Sequence, residues 1–540
     1  MQEHHGAEPN PDLVAAADVI EIAGNVVGKA IRHLAGTGGP DVHQVLAYDI
    51  AHSSAQIAAA RAMLDYGAKG DVEARLTCAF TADMIHDLIS RLCGRESMWG
   101  LETAPLRETH SFLDTFRATE FIASLADQAG PRHLDGELEM VQDTFRSFAD
   151  NEISPRAEHV HRNNDDVPED LIAGLAEMGV FGLSVPAEYG GYSEGGDGEY
   201  IAMVIATEEL SRGSLGIGGS LITRPEILTR ALVKGGTEAQ KHYWLPKLAS
   251  AEVMAAVAVT EPDFGSDVAG IKVTASPADG ADGAAGYVIN GVKTWCTFGA
   301  RADVLMLLAR TDPDRGKTHR GLSLFIVPKP RGDGHGFEFT QPPIASGTIG
   351  KMEGRPIDTI GYRGMHSYEI ALDNWWVPAE NLIGEQNAGF AMIMKNFNGE
   401  RLLMSAGACS FAQVCFDEAL DWARQRKTFG IALVEHQVTR HKLMDMHMRI
   451  ASSRAWLHAL VERLESGDTS PDWIAELCLL KNHTTQTMQW CADAAVQILG
   501  GMGFMRGTKS KRIYREVKVM MIGGGTEEIM KELAARQLGV

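Results

Sequence analysis

The sequence predicts an α+β chain with a central antiparallel β domain and helical regions on both sides. Between 253 and 386, short runs rich in Val, Ile, Leu and Phe alternate with Gly, Asp and Pro clusters, the pattern of strands and turns. Before and after that stretch, apolar residues recur at three- and four-residue spacing, the period of a helix with one buried face. With 540 residues and 45% hydrophobic content, the chain can bury about three or four domain cores. The boundaries that follow are an extra N-terminal helical domain over 1–130, a second helical domain over 131–252, the β domain over 253–386 and a four-helix bundle over 387–540.

Composition narrows the function classes. A formal net charge of -21 opposes nucleic acid or an anionic membrane surface as the main partner. The seven cysteines (Cys78, Cys93, Cys296, Cys409, Cys415, Cys478 and Cys491) are scattered without paired spacing. They predict a reduced compartment, no disulfide framework and no zinc site, so no metal is expected. No apolar run approaches the roughly 20 residues of a membrane span. The opening Met1-Gln2-Glu3-His4-His5-Gly6 resembles neither a signal peptide nor an arginine-rich transit peptide, which makes a cytoplasmic location the expectation.

In chain order, Pro11-Asp12-Leu13 opens an alanine-rich amphipathic run that Gly36 to Pro40 breaks, and 44–66 and 72–92 follow with helical spacing. The histidines here, His43, His52 and His86, are isolated and predict no ligand set. Ala129-Gly130-Pro131 reads as a linker. Phe145 to Ala149 lies on a helix expected to end near Pro155, and 168–178 on another, before the turn-rich Gly179 to Gly191. Helices over 200–211 and from Ser220 complete the region. In the β domain, 287–289, 304–308, 322–327 and 369–372 read as strands. Beyond it, 404–424, 435–464, 472–499 and 526–538 read as four helices of a bundle.

Two stretches of the β domain carry chemistry. Val253 to Val259 reads as a strand, and Pro262 in Thr260-Glu261-Pro262-Asp263-Phe264-Gly265-Ser266-Asp267 stops it. Gly265 permits a tight loop whose N–H groups face an anion, with the Ser266 hydroxyl beside them. Asn290-Gly291 reads as a hairpin turn, after which Val292 to Thr297 resume a strand. Taken singly, each is equally well a structural loop and a half-buried tryptophan.

In this order and spacing, the two stretches resemble the flavin-binding centre of the acyl-CoA dehydrogenase family. The phrases Met178-Gly179-Val180-Phe181-Gly182-Leu183 with Val185-Pro186 and Glu188-Tyr189-Gly190-Gly191, and Trp376 to Gly384, resemble the family as well. The likeness runs over about 134–540 and leaves the first 130 residues outside. It implies the family fold, FAD as cofactor and an acyl-CoA thioester as substrate, with electron-transferring flavoprotein as acceptor. By position, Val259, Thr260, Gly265 and Ser266 meet the flavin, Ser266 also lying near the coenzyme A pyrophosphate. Trp295 lies against the isoalloxazine and Thr297 near its N5. Arg426 and Phe429, in Arg426-Lys427-Thr428-Phe429-Gly430, resemble an element whose arginine reaches the FAD diphosphate of a neighbouring subunit, although Arg426 alone reads as a solvated charge. Gln497 and Gly501 match a glycine turn along the dinucleotide, and Thr526 and Glu528 match positions near its adenosine half.

The implied reaction removes a proton from Cα while a hydride leaves Cβ for flavin N5, so it needs a base. Most of the family carries a glutamate in a Tyr-Glu-Gly-Thr phrase near the C-terminus. Here Gly523-Gly524-Gly525-Thr526 stands in that place, and both the tyrosine and the glutamate are glycine. Either the protein is inactive or the base comes from elsewhere. Glu400, followed by Arg401 and Leu402, resembles the Glu-Arg-Leu start of isovaleryl- and long-chain-type members, which hold their catalytic glutamate there. Its ordinary reading is a first-turn glutamate favoured by the helix dipole.

Replacing two large side chains by Gly523 and Gly524 predicts room for a short branched acyl group. Arg224, in the stretch where family members line the acyl pocket, is a candidate partner for a carboxylate on that group, or an outward-facing arginine. Ser266, Arg401 and Gly524 complete the expected substrate contacts. Other branched- or long-chain dehydrogenases remain alternatives, as does a non-enzymatic DNA-binding or assembly homologue. Finally, 50–67 align on 450–467 without a gap, pairing Ile50 with Ile450, Ser53 with Ser453, Ala59 with Ala459 and Gly67 with Gly467. A degenerate repeat of this kind predicts an extension that lies on the C-terminal bundle, ending each helix at its glycine. The expected assembly is a homodimer, with a homotetramer as the alternative.

Overall fold

The computed structural model describes residues 9–102, 104–126, 132–194, 200–332 and 335–538. The expected linker at Ala129-Gly130-Pro131 and the Met1–Gly6 segment lie outside them. The helices are α1 Leu13–Gly36, α2 Gln44–Gly67, α3 Asp71–Leu92, α4 His110–Phe116, α5 Thr119–Ser124, α6 Gly136–Phe148, α7 Ser154–Asn163, α8 Glu169–Glu177, α9 Ile201–Gly213, α10 Ser220–Gly235 and α11 Glu238–Ala249. After the β domain come α12 Gly389–Gln425, α13 Gln437–Glu465, α14 Pro471–Leu499, α15 Gly501–Phe504, α16 Lys509–Ile522 and α17 Glu527–Gln537. No helix among the described residues is long and apolar enough to cross a membrane. The chain forms two compact units, Met1–Glu139 with Met404–Val540, and Met140–Leu403.

In the first unit, the N-terminal helices pack directly on the C-terminal ones: α2 lies against α13, α14 and α17, and α5 against α13. Phe80 of α3 meets the His483 ring of α14 edge-on, with centroids 6.3 Å apart, and Trp456 of α13 meets it at 5.8 Å. Burial, aided by Arg449 and His52, pushes the His483 imidazole down to about 3, so it enters this aromatic cluster neutral. Arg440 Nε donates to the Ala123 carbonyl at 2.6 Å, and the His441 ring lies 2.9 Å from the Thr119 carbonyl. The parallel between α2 and α13 breaks at the glycines. Gly467 stops α13 at φ 89°, whereas Gly67 is the last residue of α2, where a Cβ would stand 2.6 Å from Thr77 Oγ1. Helix α16 went unread in the sequence because lysines and arginines crowd the apolar stripe Ile513, Val517 and Met520.

In the second unit, Pro155 does not end a helix. A π-helical turn at Ala149–Ile153 leads directly into α7, which holds Pro155 near its start, so the helical path runs through the proline. The strands are β1 Ala255–Ala258, β2 Thr274–Asp279, β3 Ala285–Thr297, β4 Val304–Arg310, β5 Leu322–Pro328, β6 Phe337–Thr340, β7 Lys351–Pro356, β8 Ser367–Pro378 and β9 Leu382–Ile383. They form one sheet in the order β6-β7-β8-β3-β2-β4-β5-β9, with β1 beside β4. Most pairs are antiparallel, but β1 pairs β4 in parallel, Ala255 opposite Val304. Every residue of β4 is buried. Its Val304, Met306 and Leu308 join Leu228 and Leu232 of α10 and Leu245 and Leu248 of α11 in one apolar core, which fixes α10 against the sheet.

Asn290-Gly291 is not a turn. β3 runs straight through it, with a bulge in its pairing to β8 between Ile289 and Gly291. Asn290 Oδ1 accepts from the Asn374 N–H at 2.8 Å, spending its polar side chain across the sheet. Gly291 sits at φ 133°, and a Cβ there would lie 2.7 Å from Val273 Cγ2, so glycine answers a close approach rather than a reversal.

Candidate functional site

The loop after β1 is held from within by a lysine. Lys293 of β3 is fully buried, and its Nζ donates to the Val259 carbonyl at 2.8 Å and to Glu261 Oε1 at 2.9 Å. Burial lowers the Lys293 pKa from its ordinary value despite the opposing Glu261. Glu261 accepts in turn from the Lys272 and Val273 N–H groups, at 2.7 and 2.9 Å. The Thr260 carbonyl accepts from Thr294 N–H at 2.9 Å, and Glu261 and Phe264 exchange backbone bonds to close a turn. A rigid base thus presents Gly265 and Ser266 to solvent, and nothing stands within 4 Å of where a Gly265 Cβ would be. Lys293 and Glu261 are functional candidates that sequence reasoning missed. The available signal was a charged residue within the apolar phrase Val292-Lys293-Thr294-Trp295.

Trp295 follows in a second bulge, between Lys293 and Cys296. It is 54% exposed and holds φ 57°, a left-handed backbone that costs a bulky residue about 1–3 kcal/mol. Thr297 is buried, with Oγ1 3.0 Å from Ser367 Oγ. Phe298, Tyr362 and His366 also hold left-handed backbones, and the Phe298 N–H bonds the Met365 and His366 carbonyls at 3.0 and 2.8 Å. Strain gathered at one sheet end marks a functional region. A wide aromatic face, half open to solvent and bonded through its neighbour to a loop with exposed Gly and Ser, fits a flat apolar ring carrying an anionic tail.

A buried ion pair joins two helices near this end of the second unit. A π-helical turn, Leu215–Gly219, precedes α10. Gly216 is required there, since its Cβ would stand 2.0 Å from the Arg363 carbonyl oxygen. Arg224 projects from the second turn of α10, and its Nη2 donates to Glu400 Oε1 of α12 at 2.7 Å, the two side chains being 14% and 11% exposed. Asn396 Nδ2 donates to the Ile227 carbonyl at 3.5 Å and ties the same two helices. Burial disfavours the Arg224 charge, yet Glu400 and the Tyr362 hydroxyl outweigh it and hold its pKa above the ordinary value. Arg224 Nε is buried without a hydrogen-bond partner among the described residues. Arg224 therefore faces inward. Glu400 is not in a first turn either: α12 begins at Gly389, about three turns earlier, so the helix dipole does not account for it. Arg401 is buried, with Nη1 2.8 Å from Asn398 Oδ1.

The remaining residues singled out from sequence lie in the first unit. Arg426 is exposed and enters a small hairpin, 427–432, whose tip holds Phe429 at 99% exposure and φ 52°. Gln497 and Gly501 are exposed around the end of α14. Gly524 and Gly525 hold φ 67° and 106° between α16 and α17. The buried Lys481 Nζ braces that turn, donating to the Gly525 carbonyl at 2.6 Å and the Met521 carbonyl at 3.2 Å. Thr526 caps α17, its Oγ1 accepting from the Ile529 N–H at 3.4 Å, and Glu528 is exposed in the first turn. Thr526 thus has a structural task that its motif did not reveal.

Family profiles match three consecutive stretches: the acyl-CoA dehydrogenase N-terminal domain over 135–252, its middle domain over 256–375 and its C-terminal domain over 387–539. The chain is 38% identical over 411 residues to (2S)-methylsuccinyl-CoA dehydrogenase of Cereibacter sphaeroides, covering 76% of this chain and 71% of that protein. It is 33% identical over 401 residues to the mitochondrial isovaleryl-CoA dehydrogenase of Arabidopsis thaliana, covering 74% and 90%. Among solved structures, an acyl-CoA dehydrogenase from Geobacillus kaustophilus matches with a TM-score of 0.66 at 31% identity, over 76% of this chain and 100% of that one.

Proposed function

The chain belongs to the acyl-CoA dehydrogenase family of FAD-dependent oxidoreductases, and from that premise we propose that it oxidises (2S)-methylsuccinyl-CoA to mesaconyl-CoA. Glu400 takes the proton from Cα of the thioester. FAD, when bound, supplies the acceptor for the hydride leaving Cβ. The observation that carries the substrate choice is the Arg224–Glu400 pair at 2.7 Å, with Arg224 Nε left open. A guanidinium fork has room for two acceptors. A carboxylate on the acyl group satisfies the open donor and draws the cation off the base. An acyl group without one leaves the guanidinium bonded to the Glu400 oxygen that must take the proton. The relative acting on methylsuccinyl-CoA supports the same choice. Val259, Thr260, Gly265, Ser266, Trp295 and Thr297 would hold the flavin, with Ser266, Arg401 and Gly524 toward the substrate. We take electron-transferring flavoprotein as the acceptor. With it, kcat/KM for methylsuccinyl-CoA is expected to exceed that for butyryl-, isovaleryl- and palmitoyl-CoA. A higher value for any of these three would overturn the substrate assignment.

We infer a homodimer for the assembly. Phe429, almost wholly exposed beside Arg426, suits contact with a second copy, and in this reading Arg426, Phe429, Gln497, Gly501, Thr526 and Glu528 serve the dinucleotide across that contact. Helix α2 covers faces of α13, α14 and α17 that would otherwise be free to pair with another dimer. Light scattering on the intact protein should give about twice the chain mass, whereas a tetramer mass would contradict this. Removing residues 1–130 should produce larger species. The free cysteines, all buried but Cys93, suit the reducing cytoplasm in which we place the enzyme, and cell fractionation reads that location directly.

A further inference from the structure

A cluster of ligand-type side chains gathers around His366, whose imidazole has no part in the flavin and substrate reading above. After α7, Asn164 turns the chain at φ 58°, and Asp166 forms a parallel bridge with Gly364, sealed by the Val167 N–H to the Gly364 carbonyl at 3.0 Å. This brings His366 against the same turn. Its Nε2 is 3.2 Å from Asp166 Oδ1 and also 3.2 Å from the Asp165 carbonyl oxygen. The His335 ring lies alongside, centroids 4.4 Å apart, and Asn164 Nδ2 is 3.3 Å from its Nδ1. One ligand atom each from Asp166, His335 and His366 falls within 4.8 Å of the others. A second carboxylate, Asp165, has Oδ2 3.2 Å from His159 Nε2.

We propose that Asp166, His335 and His366 bind a divalent transition ion of the zinc type, with the Asp165 carbonyl or a water as fourth ligand. Two imidazoles and one carboxylate suit zinc and give little to magnesium or calcium, which demand oxygen ligands. The two spacings of 3.2 Å from His366 Nε2 match the edge of a tetrahedron with arms of about 2.0 Å, and the His335 ligand atom lies within 4.8 Å of the other two side chains' ligand atoms. His366 is only 6% exposed, which supplies a dry wall, while His335 is exposed, which supplies an entry path. The ligands are far apart in sequence and carry no metal-site spacing, which is why none was expected. The ion is a staple rather than a reactant. It fastens the 164–167 turn to a segment whose Ser367 touches Thr297 and whose Tyr362 acts on Arg224.

The test uses flavin-loaded, full-length protein without a histidine tag, treated with EDTA and then titrated with zinc sulfate by calorimetry. About one equivalent is expected to bind and to raise the melting temperature, with magnesium failing to compete. His366→Gln and Asp166→Asn should each abolish binding. His335→Gln, at an exposed position where folding is not at stake, should weaken it by at least about tenfold. His110→Gln, exposed elsewhere, should change nothing. Absence of saturable zinc binding by the wild type, or zinc affinity unchanged in His335→Gln, overturns the proposal.

Discussion

Glu400→Gln is expected to keep FAD bound while turnover falls by about 10² to 10⁴, the range lost with a general base. The substitution preserves shape and one acceptor oxygen, so Arg224 Nη2 still finds a partner and α12 keeps its seat on α10. Only the capacity to hold a proton from Cα disappears. The expectation is specific because the late position of the family's glutamate is Gly523-Gly524 here, and no second carboxylate bonds Arg224 among its described contacts. The flavin absorbance of the purified variant checks binding, and steady-state turnover checks the loss. Turnover equal to that of the wild type would remove Glu400 from the reaction and leave its pairing with Arg224 as a structural one.

Arg224→Met should separate substrates. Methionine fills comparable space without a charge, so α10 keeps its packing. Removing one member of a buried pair costs about 3–5 kcal/mol. On this account, most of that loss falls on the complex with a carboxylate-bearing acyl group. The kcat/KM for methylsuccinyl-CoA is therefore expected to drop by about 10² to 10³, while isovaleryl-CoA is used no worse than before, since Glu400 no longer carries a cation. A variant with unchanged selectivity between the two would leave the acyl carboxylate without its proposed partner. A uniform loss on both would assign Arg224 to positioning the base alone.

Local structure was legible in the sequence wherever neighbours in the chain do the work. The loop from Thr260 to Ser266, the Trp295 strand and the Glu400-Arg401 pair could be read because each is a contiguous phrase. Four features were not legible, for distinct reasons. Arg224 and Glu400 are 176 residues apart, so their pairing depends on how α10 and α12 seat, which periodicity does not report. Lys293 and Lys481 are buried braces for a loop and a glycine turn, a task that the chain neighbours of a lysine do not report. Asn290-Gly291 has hairpin chemistry, but the straight pairing of β3 with β8 on both sides of it overrides the local preference. The start of α12 was placed too late because glycine at 389 and 399 and asparagine at 396 and 398 resemble a loop, although packing holds them in helix.

The most direct test of the account is the half-reaction under anaerobic conditions, in which the flavin absorbance is followed after mixing wild-type protein with one thioester at a time. No electron acceptor enters that measurement, so the rate reports proton and hydride removal alone. The account predicts rapid bleaching by (2S)-methylsuccinyl-CoA, with isovaleryl-CoA slower by about tenfold or more. Rapid bleaching by isovaleryl- or butyryl-CoA, with methylsuccinyl-CoA inert, would contradict it.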